Sequence, residues 1–409
     1  MLQGTGGAKQ TMLPWENELL SEVPHFEYAP EYNEGTDLQA LFYEGPLYWG
    51  KATKVFAYIG LPKRLAETGE KVPAVVLVHG GAGTAYADWV RVWNARGYAA
   101  IAMDLEGHLP QWDEGARSFR PHEWAGPANQ AVWKDIEAPV KEQWTYHAVA
   151  AVIRGHSLLR SLPEIDAERI GIVGVSWGAV LSEIVSGIDE RFKFAVPVYG
   201  SGFVHESESY FGDAYRSWAP ETQAAFMSLW EPSTYLKEAR IPMLWVNGDN
   251  DGHFPLTVFT KSYRVVEKQS ILSIHPGMPH NQEAAMEPPE IYAFADHIIR
   301  GEPPLARVVR HETDLENRRV IVEAESDVPI TAAELYFMLN ISDRLSPVWS
   351  KEVIQLPEQD QDQEPRYKLS LETALPDKAK AYYINLIDER GYIVSTGLTD
   401  AVQEGANAQ

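Results

Sequence analysis

The chain has 409 residues, 45% of them hydrophobic and 23% charged, which is ordinary globular composition and excludes a disordered or low-complexity protein. Lys and Arg total 35 against 58 Asp and Glu, a net charge of −23 that repels phosphate backbones and anionic lipid surfaces, so nucleic acid is not an expected partner. There is no cysteine, hence no disulfide, no thiolate metal site and no cysteine nucleophile. No segment approaches the apolar length of a membrane span, and Met1–Gln10 lacks the basic and apolar regions of a signal peptide. A chain without a membrane span is expected, with compartment and oligomeric state left open.

In chain order, residues 1–37 read as a polar, proline-punctuated segment, followed by short strands at Leu38–Tyr43 and Lys54–Tyr58 that suggest an antiparallel lead-in. Apolar strand runs then alternate with helical periodicity. The strands are Ala74–His79, Tyr98–Met103, Arg169–Val175, Lys193–Tyr199, Pro242–Asn247 and Ser270–His275; the helices are Ala85–Arg96, Trp144–Leu162, Trp177–Gly187 and Pro289–Arg300. Strands this continuously apolar belong in a sheet covered on both faces, so 38–302 reads as an α/β doubly wound, mostly parallel domain. Pro303-Pro304 ends the helical signal, and beyond it the hydrophobic period changes from 3.6 to 2. About six short alternating segments, near 318–325, 331–339, 348–355, 366–372, 380–388 and 392–397, predict an all-β sandwich of immunoglobulin or fibronectin type over 303–409. The acidic run EQDQDQE at 358–364 reads as a solvated loop, because it lacks the glycine and spacing of a calcium loop.

The chemistry concentrates in Gly174-Val175-Ser176-Trp177-Gly178, which follows a strand and opens a helix. This is the required context of a nucleophile elbow, in which a sharp strand-to-helix turn presents the serine and leaves no room for side chains two residues to either side. A serine hydroxyl needs a base, and the base needs a third group to orient it. On such a sheet the expected order is serine, acid, histidine. The acid is Asp251, or Asp249, in the turn NGDNDGH that follows the strand 242–247; the base is His280, in the loop HPGMPHN after the last strand. His275 at the strand end reads as a packed residue, and His253 as too close in sequence to the acid. A calcium-loop reading of the same turn fails because its twelfth position is Val258 where glutamate is required.

A tetrahedral intermediate needs two oxyanion donors. The backbone N–H of Trp177 is one candidate, and the glycine-rich loop His79-Gly80-Gly81-Ala82-Gly83 supplies the other, with Gly81 ahead of Ala82. The same loop lacks the pattern of a nucleotide-binding loop. Two long inserts carry aromatics that can wall a substrate site and stack on sugar faces: Trp112 and Trp124 in 106–143, and Tyr210, Trp218 and Trp230 in 201–239. Packing of loops onto the core is the alternative role for these rings. No metal and no cofactor is expected.

The run Val72–Asp104, GVSWG at 174–178, VNGDNDGHFPL at 246–256 and MPHN at 278–281 resemble bacterial α/β-hydrolases of acetyl xylan esterase-like or dienelactone hydrolase-like type, over roughly 38–302. The resemblance implies Ser176 as nucleophile, Asp251 over Asp249 as acid, and His280 as base. It departs from the acetyl xylan esterase and cephalosporin C deacetylase motifs RGQ, GxSQG and HE, whose equivalents here are EGH at 106–108, GVSWG and His280-Asn281. The expected function is therefore a serine esterase acting on a small-molecule or carbohydrate ester. A prolyl oligopeptidase-like peptidase is the enzymatic alternative, and a non-catalytic carbohydrate-binding protein on a hydrolase scaffold the other.

Overall fold

The computed structural model describes residues 14–15, 21–63, 70–128, 133–357, 360–361 and 367–401, the pair 360–361 by backbone alone. Most of the acidic run at 358–364 therefore lies outside the described residues.

The first eleven strands are β1 (Phe26–Tyr28), β2 (Leu38–Glu44), β3 (Lys54–Gly60), β4 (Val72–Val78), β5 (Ala99–Met103), β6 (His108–Asp113), β7 (Ser118–Pro121), β8 (Ile165–Val175), β9 (Ala195–Val198), β10 (Met243–Gly248) and β11 (Ser270–His275). Nine of them form one sheet in the order β1-β2-β3-β5-β4-β8-β9-β10-β11, and β6 and β7 make a separate hairpin. From β5 to β11 neighbouring strands are parallel, while β1 to β3 form the antiparallel lead-in. All seven residues of β4 are buried, because helices cover both faces. Val76 and Val78 join one core with helices Trp144–Ser161, Trp177–Ser186 and Leu256–Val265; Val75 and Leu77 join another with helices Ala87–Ala95 and Pro289–Arg300.

Strand order reverses between β4 and β8, since β5 lies on one side of β4 and β8 on the other. In open α/β sheets, ligands bind in the crevice outside the carboxyl ends of strands at such a switch point. The loop after β4 and the turn after β8 open into that crevice.

Three parts of the chain carry more structure than their sequence suggested. β1 lies inside the polar segment 1–37, yet it pairs with β2 and extends the sheet. Helix Leu256–Val265 follows the acid turn, and the second insert contains helices Tyr210–Ser217, Pro220–Leu229 and Pro232–Leu236. Among the described residues no helix is long and apolar enough to cross a membrane.

Beyond the last helix come β12 (Arg307–Asp314), β13 (Arg319–Ser326), β14 (Ile330–Met338), β15 (Trp349–Ile354), β16 (Asp360–Gln361), β17 (Tyr367–Ala374), β18 (Ala381–Asp388), β19 (Ile393–Ser395) and β20 (Thr399–Asp400). They form two antiparallel sheets, β12-β13-β17-β16 and β15-β14-β18-β19, with β20 also on β18. Lettered in chain order, these orders correspond to A-B-E-D and C′-C-F-G, the arrangement of an immunoglobulin-type sandwich. β12 escaped the sequence reading because its residues RVVRHETD do not alternate: it is an edge strand with no fully buried position.

The second sheet is apolar on both faces. Leu335, Phe337, Tyr382 and Ile384 fill the sandwich interior, while Tyr336, Met338, Ala381 and Tyr383 join the core of the α/β domain. The sandwich also covers the edge of the parallel sheet. Ile274 in β11 donates its N–H to Ser395 Oγ (2.8 Å) and its carbonyl accepts from Asn385 Nδ2 (3.0 Å), so side chains satisfy the groups that a further strand would have paired.

Candidate active site

Ser176 sits at φ 56° and ψ −116°, a conformation that residues other than glycine rarely adopt and that occurs where surrounding structure enforces it. The flanking glycines are a steric requirement. A Cβ on Gly174 would stand 2.1 Å from the carbonyl oxygen of Gly178, and one on Gly178 would stand 2.0 Å from that of Val78. The turn can therefore pack against β4 only if both side chains are absent.

The Ser176 Oγ lies 2.8 Å from His280 Nε2, and His280 Nδ1 lies 2.6 Å from Asp251 Oδ2. The Asp251 side chain is 2% exposed, and its other oxygen accepts the backbone N–H groups of His253 and Phe254, each at 2.8 Å. An ionised carboxylate only accepts, so this pairing places the imidazole proton on Nδ1 and leaves Nε2 to accept from the serine hydroxyl. The His280 loop is anchored just beyond the histidine, where Asn281 Oδ1 caps the short helix Gln282–Ala285 by accepting from Ala284 N–H (2.8 Å).

The other candidates go elsewhere. Asp249 accepts instead from the N–H of Gly277 (2.8 Å) and the hydroxyl of Tyr383 (3.0 Å); burial pushes its carboxyl up, against those two donors. His275 lies 3.0 Å from Ser273 Oγ and 3.4 Å from Glu290, within the packed end of β11. His253 is nearer the site than its sequence position suggested. Its ring lies 4.6 Å from that of His280; burial and His280 push its imidazole down.

The glycine-rich loop is locked by His79. This buried imidazole accepts the N–H of Leu105 at Nε2 (2.9 Å) and donates from Nδ1 to the carbonyl of Gly80 (2.6 Å); burial pushes it down to about 4, so it is neutral near pH 7. Gly80 lies against Ser176, where a Cβ would stand 3.0 Å from that of the serine. Ala82, at φ 58°, turns its N–H toward Glu106 Oε1 (3.3 Å). Trp177 is the first residue of its helix, where N–H groups have no intrahelical partner.

The predicted substrate aromatics divide. Tyr210 is 47% exposed and its ring lies 5.6 Å from that of His253. Trp218 packs on Tyr215 and Phe226. Trp112, 49% exposed on the β6–β7 hairpin, contacts Phe119, and Trp124 packs on Phe42 beneath the Lys54 ammonium. Trp230 is corrected: it is fully buried and donates its indole N–H to Gln143, so it staples the second insert to the core and presents no face to a sugar. Buried Trp133 and Trp177 contact edge to face at 4.6 Å. Among the described residues no group of three or more His, Asp or Glu is arranged to hold a metal ion.

Residues 17–205 match the acetyl xylan esterase family (AXE1), and residues 134–288 match the prolyl oligopeptidase family. Among curated proteins, the uncharacterized peptidase YuxL of Bacillus subtilis is 22% identical over 222 residues, which span 51% of this chain and 31% of that protein. The match thus covers about a third of that relative's length. Among solved structures, the acetyl xylan esterase of Paenibacillus sp. R4 superposes with a TM-score of 0.51 at 19% identity, over 65% of this chain and 87% of that one. Acetyl xylan esterase 1 of Thermoanaerobacterium sp. JW/SL YS485 gives 0.48 at 17% identity, over 66% and 91%. At 19% identity the likeness to the Paenibacillus enzyme is one of fold. The chain has the α/β-hydrolase fold, and two of its stretches, each under half its length, are similar to the acetyl xylan esterase and prolyl oligopeptidase families.

Proposed function

We propose that the protein hydrolyses carboxylic esters through an acyl-enzyme on Ser176, and that its substrates are small-molecule or carbohydrate acyl esters. The observation that carries this reading is the continuous hydrogen-bonded series Ser176–His280–Asp251 at the switch point of the sheet. The acetyl xylan esterase match, over residues 17–205, includes both the glycine-rich loop and the elbow, and supports an ester over a peptide.

In this mechanism Ser176 Oγ attacks the ester carbonyl while its proton passes to His280 Nε2. Asp251, held by two backbone N–H groups, keeps the imidazole in the productive tautomer and stabilises the imidazolium. The backbone N–H groups of Trp177 and Gly81 receive the oxyanion. Collapse breaks the bond to the alcohol, which leaves with the proton from His280. Water then attacks the acyl-enzyme with His280 as base, releasing the carboxylic acid and restoring the serine. All of these groups come from 38–302, and 303–409 is taken as the sandwich domain.

The test is a substrate panel of 4-nitrophenyl esters of graded chain length, acetylated xylan and N-acylated peptides, run with the wild type and Ser176→Ala. Acetate release from xylan by the wild type, lowered about 10⁶-fold in the variant, is expected. Peptide cleavage without ester turnover would transfer the protein to the peptidase branch, which the match over residues 134–288 favours.

A further inference from the structure

We infer that the C-terminal sandwich is part of the catalytic machinery's support: Tyr383 and Trp349 act through Asp249 as positioning residues that hold the Asp251 turn and the His280 loop in register. The inference rests on the triad reading above, and extends it to a domain that contributes no reacting group.

Asp249 is a junction of three elements. Its Oδ1 accepts the N–H of Gly277, in the loop that carries His280; its Oδ2 accepts the hydroxyl of Tyr383 in β18; and its backbone carbonyl accepts the indole N–H of Trp349 in β15 at 2.9 Å. Asp249 itself lies two residues before Asp251 in the acid turn. These three bonds from Asp249 thus end on the His280 loop or on the sandwich. The two loops also touch directly, since a Cβ on Gly248 would stand 2.5 Å from the carbonyl of Met278.

The sandwich side of the junction is rigid. The Tyr383 ring stacks on Tyr336 at 4.9 Å with planes 4° apart, and Trp349 meets it edge-on at 5.0 Å. Tyr383 is fully buried, and Asp249 is 5% exposed. Removing the Tyr383 hydroxyl takes from the buried Asp249 carboxylate its one side-chain donor among those described, so the carboxylate shifts toward its remaining backbone donors or takes a proton. Either response releases the constraint between the two loops. The imidazole–carboxylate contact that those loops must hold is 2.6 Å, and displacements of about 1 Å at such a contact cost up to about 10²-fold in rate.

This arrangement accounts for a feature that position in sequence leaves ambiguous. Asp249 and Asp251 stand two apart in one turn, both buried and both conspicuous in the sequence, yet one faces the histidine and the other faces the sandwich. Asp251 is the orienting acid, and Asp249 fixes where that acid stands.

The experiment uses the full chain, with 4-nitrophenyl acetate as substrate and Tm measured for every variant. Tyr383→Phe keeps both ring contacts and loses only the hydroxyl; it is expected to lower kcat about 10-fold with KM within about twofold. Asp249→Ala is expected to lose about 10²-fold in kcat, and Asp249→Asn to recover much of that, since an amide can still accept from Gly277 and donate to the Tyr383 oxygen. Tyr336→Phe is the control: it removes a neighbouring hydroxyl, bonded to Glu334, and should leave kcat unchanged whatever its Tm. If Asp249→Ala fails to fold, Tyr383→Phe and Trp349→Phe carry the test. Wild-type kcat in both of those, with Ser176→Ala inert, overturns the inference and leaves the triad standing. Activity retained by Ser176→Ala overturns both.

Discussion

The ring of Tyr199 lies 4.3 Å from the imidazole of His280, tilted by 37°, and the Tyr199 hydroxyl donates to the carbonyl of Asn281, the next residue in that loop. One side chain at the end of β9 therefore supports both the ring and the backbone that carries it. Tyr199→Phe keeps the ring contact and loses the bond, which is worth about 1 kcal/mol, so kcat should fall a few-fold with KM unchanged. Tyr199→Ala should lose more. Steady-state kinetics on a small ester decide the point, and an unchanged kcat in the alanine variant would show that His280 needs no support from β9.

Three histidines near the site should rank by geometry. His280→Ala is expected to cost about as much as loss of the nucleophile, about 10⁶ in kcat, because this imidazole contacts both Ser176 and its orienting acid. His275→Ala should act on stability alone, since that residue is tied to Ser273 and Glu290 at the packed end of β11. His253→Ala should change KM more than kcat, since its ring lies beside His280 at the entrance. Asp251→Asn should cost about 10⁴, by favouring the wrong imidazole tautomer. A larger loss from His253→Ala than from His280→Ala would move the base.

The buried His79 makes a pH-dependent contribution to stability with a definite sign. Its imidazole is pushed from the usual 6.5 down to about 4 by burial, so between those values the unfolded chain binds a proton that the folded chain does not. The contribution is complete above pH 6.5 and is lost as pH falls toward 4, a change of roughly 3 kcal/mol at most. His79→Gln should therefore be less stable than the wild type at pH 7, by a margin that shrinks at about pH 4.5. Urea midpoints across that range measure it, and a margin independent of pH would mean that folding leaves the imidazole's proton affinity unshifted.

A chain ending at Gly301 should be insoluble or much less stable. It would expose the apolar surface now covered by Tyr336, Met338, Ala381 and Tyr383, and it would strip Ser395 and Asn385 from the backbone of Ile274, leaving a bare sheet edge. Expression with size-exclusion chromatography and thermal melting tests this. A monomeric truncation that melts with the full-length chain would show that the interface contributes little.

Local signals in the chain were enough to define most of the sheet and to single out the residues worth testing, while β1, inside the polar segment, escaped them. Strands β4 and β10 stand out because a run buried on both faces must be largely apolar, and the bounds Ser270–His275 and Pro289–Arg300 were legible because turn and proline signals frame them. Gly174 and Gly178 were informative for an equally local reason, the absence of room within one turn. Facing is not local. Tyr210 and Trp230 are aromatic residues of one insert, yet the first is half exposed beside His253 and the second fully buried against Gln143, because each is set by partners far away in the chain. The same holds for the two aspartates of the acid turn. That Asp251 meets His280 while Asp249 meets Tyr383 follows from packing between distant elements, since a turn offers its side chains in several directions and the elements around it select which partner each one finds.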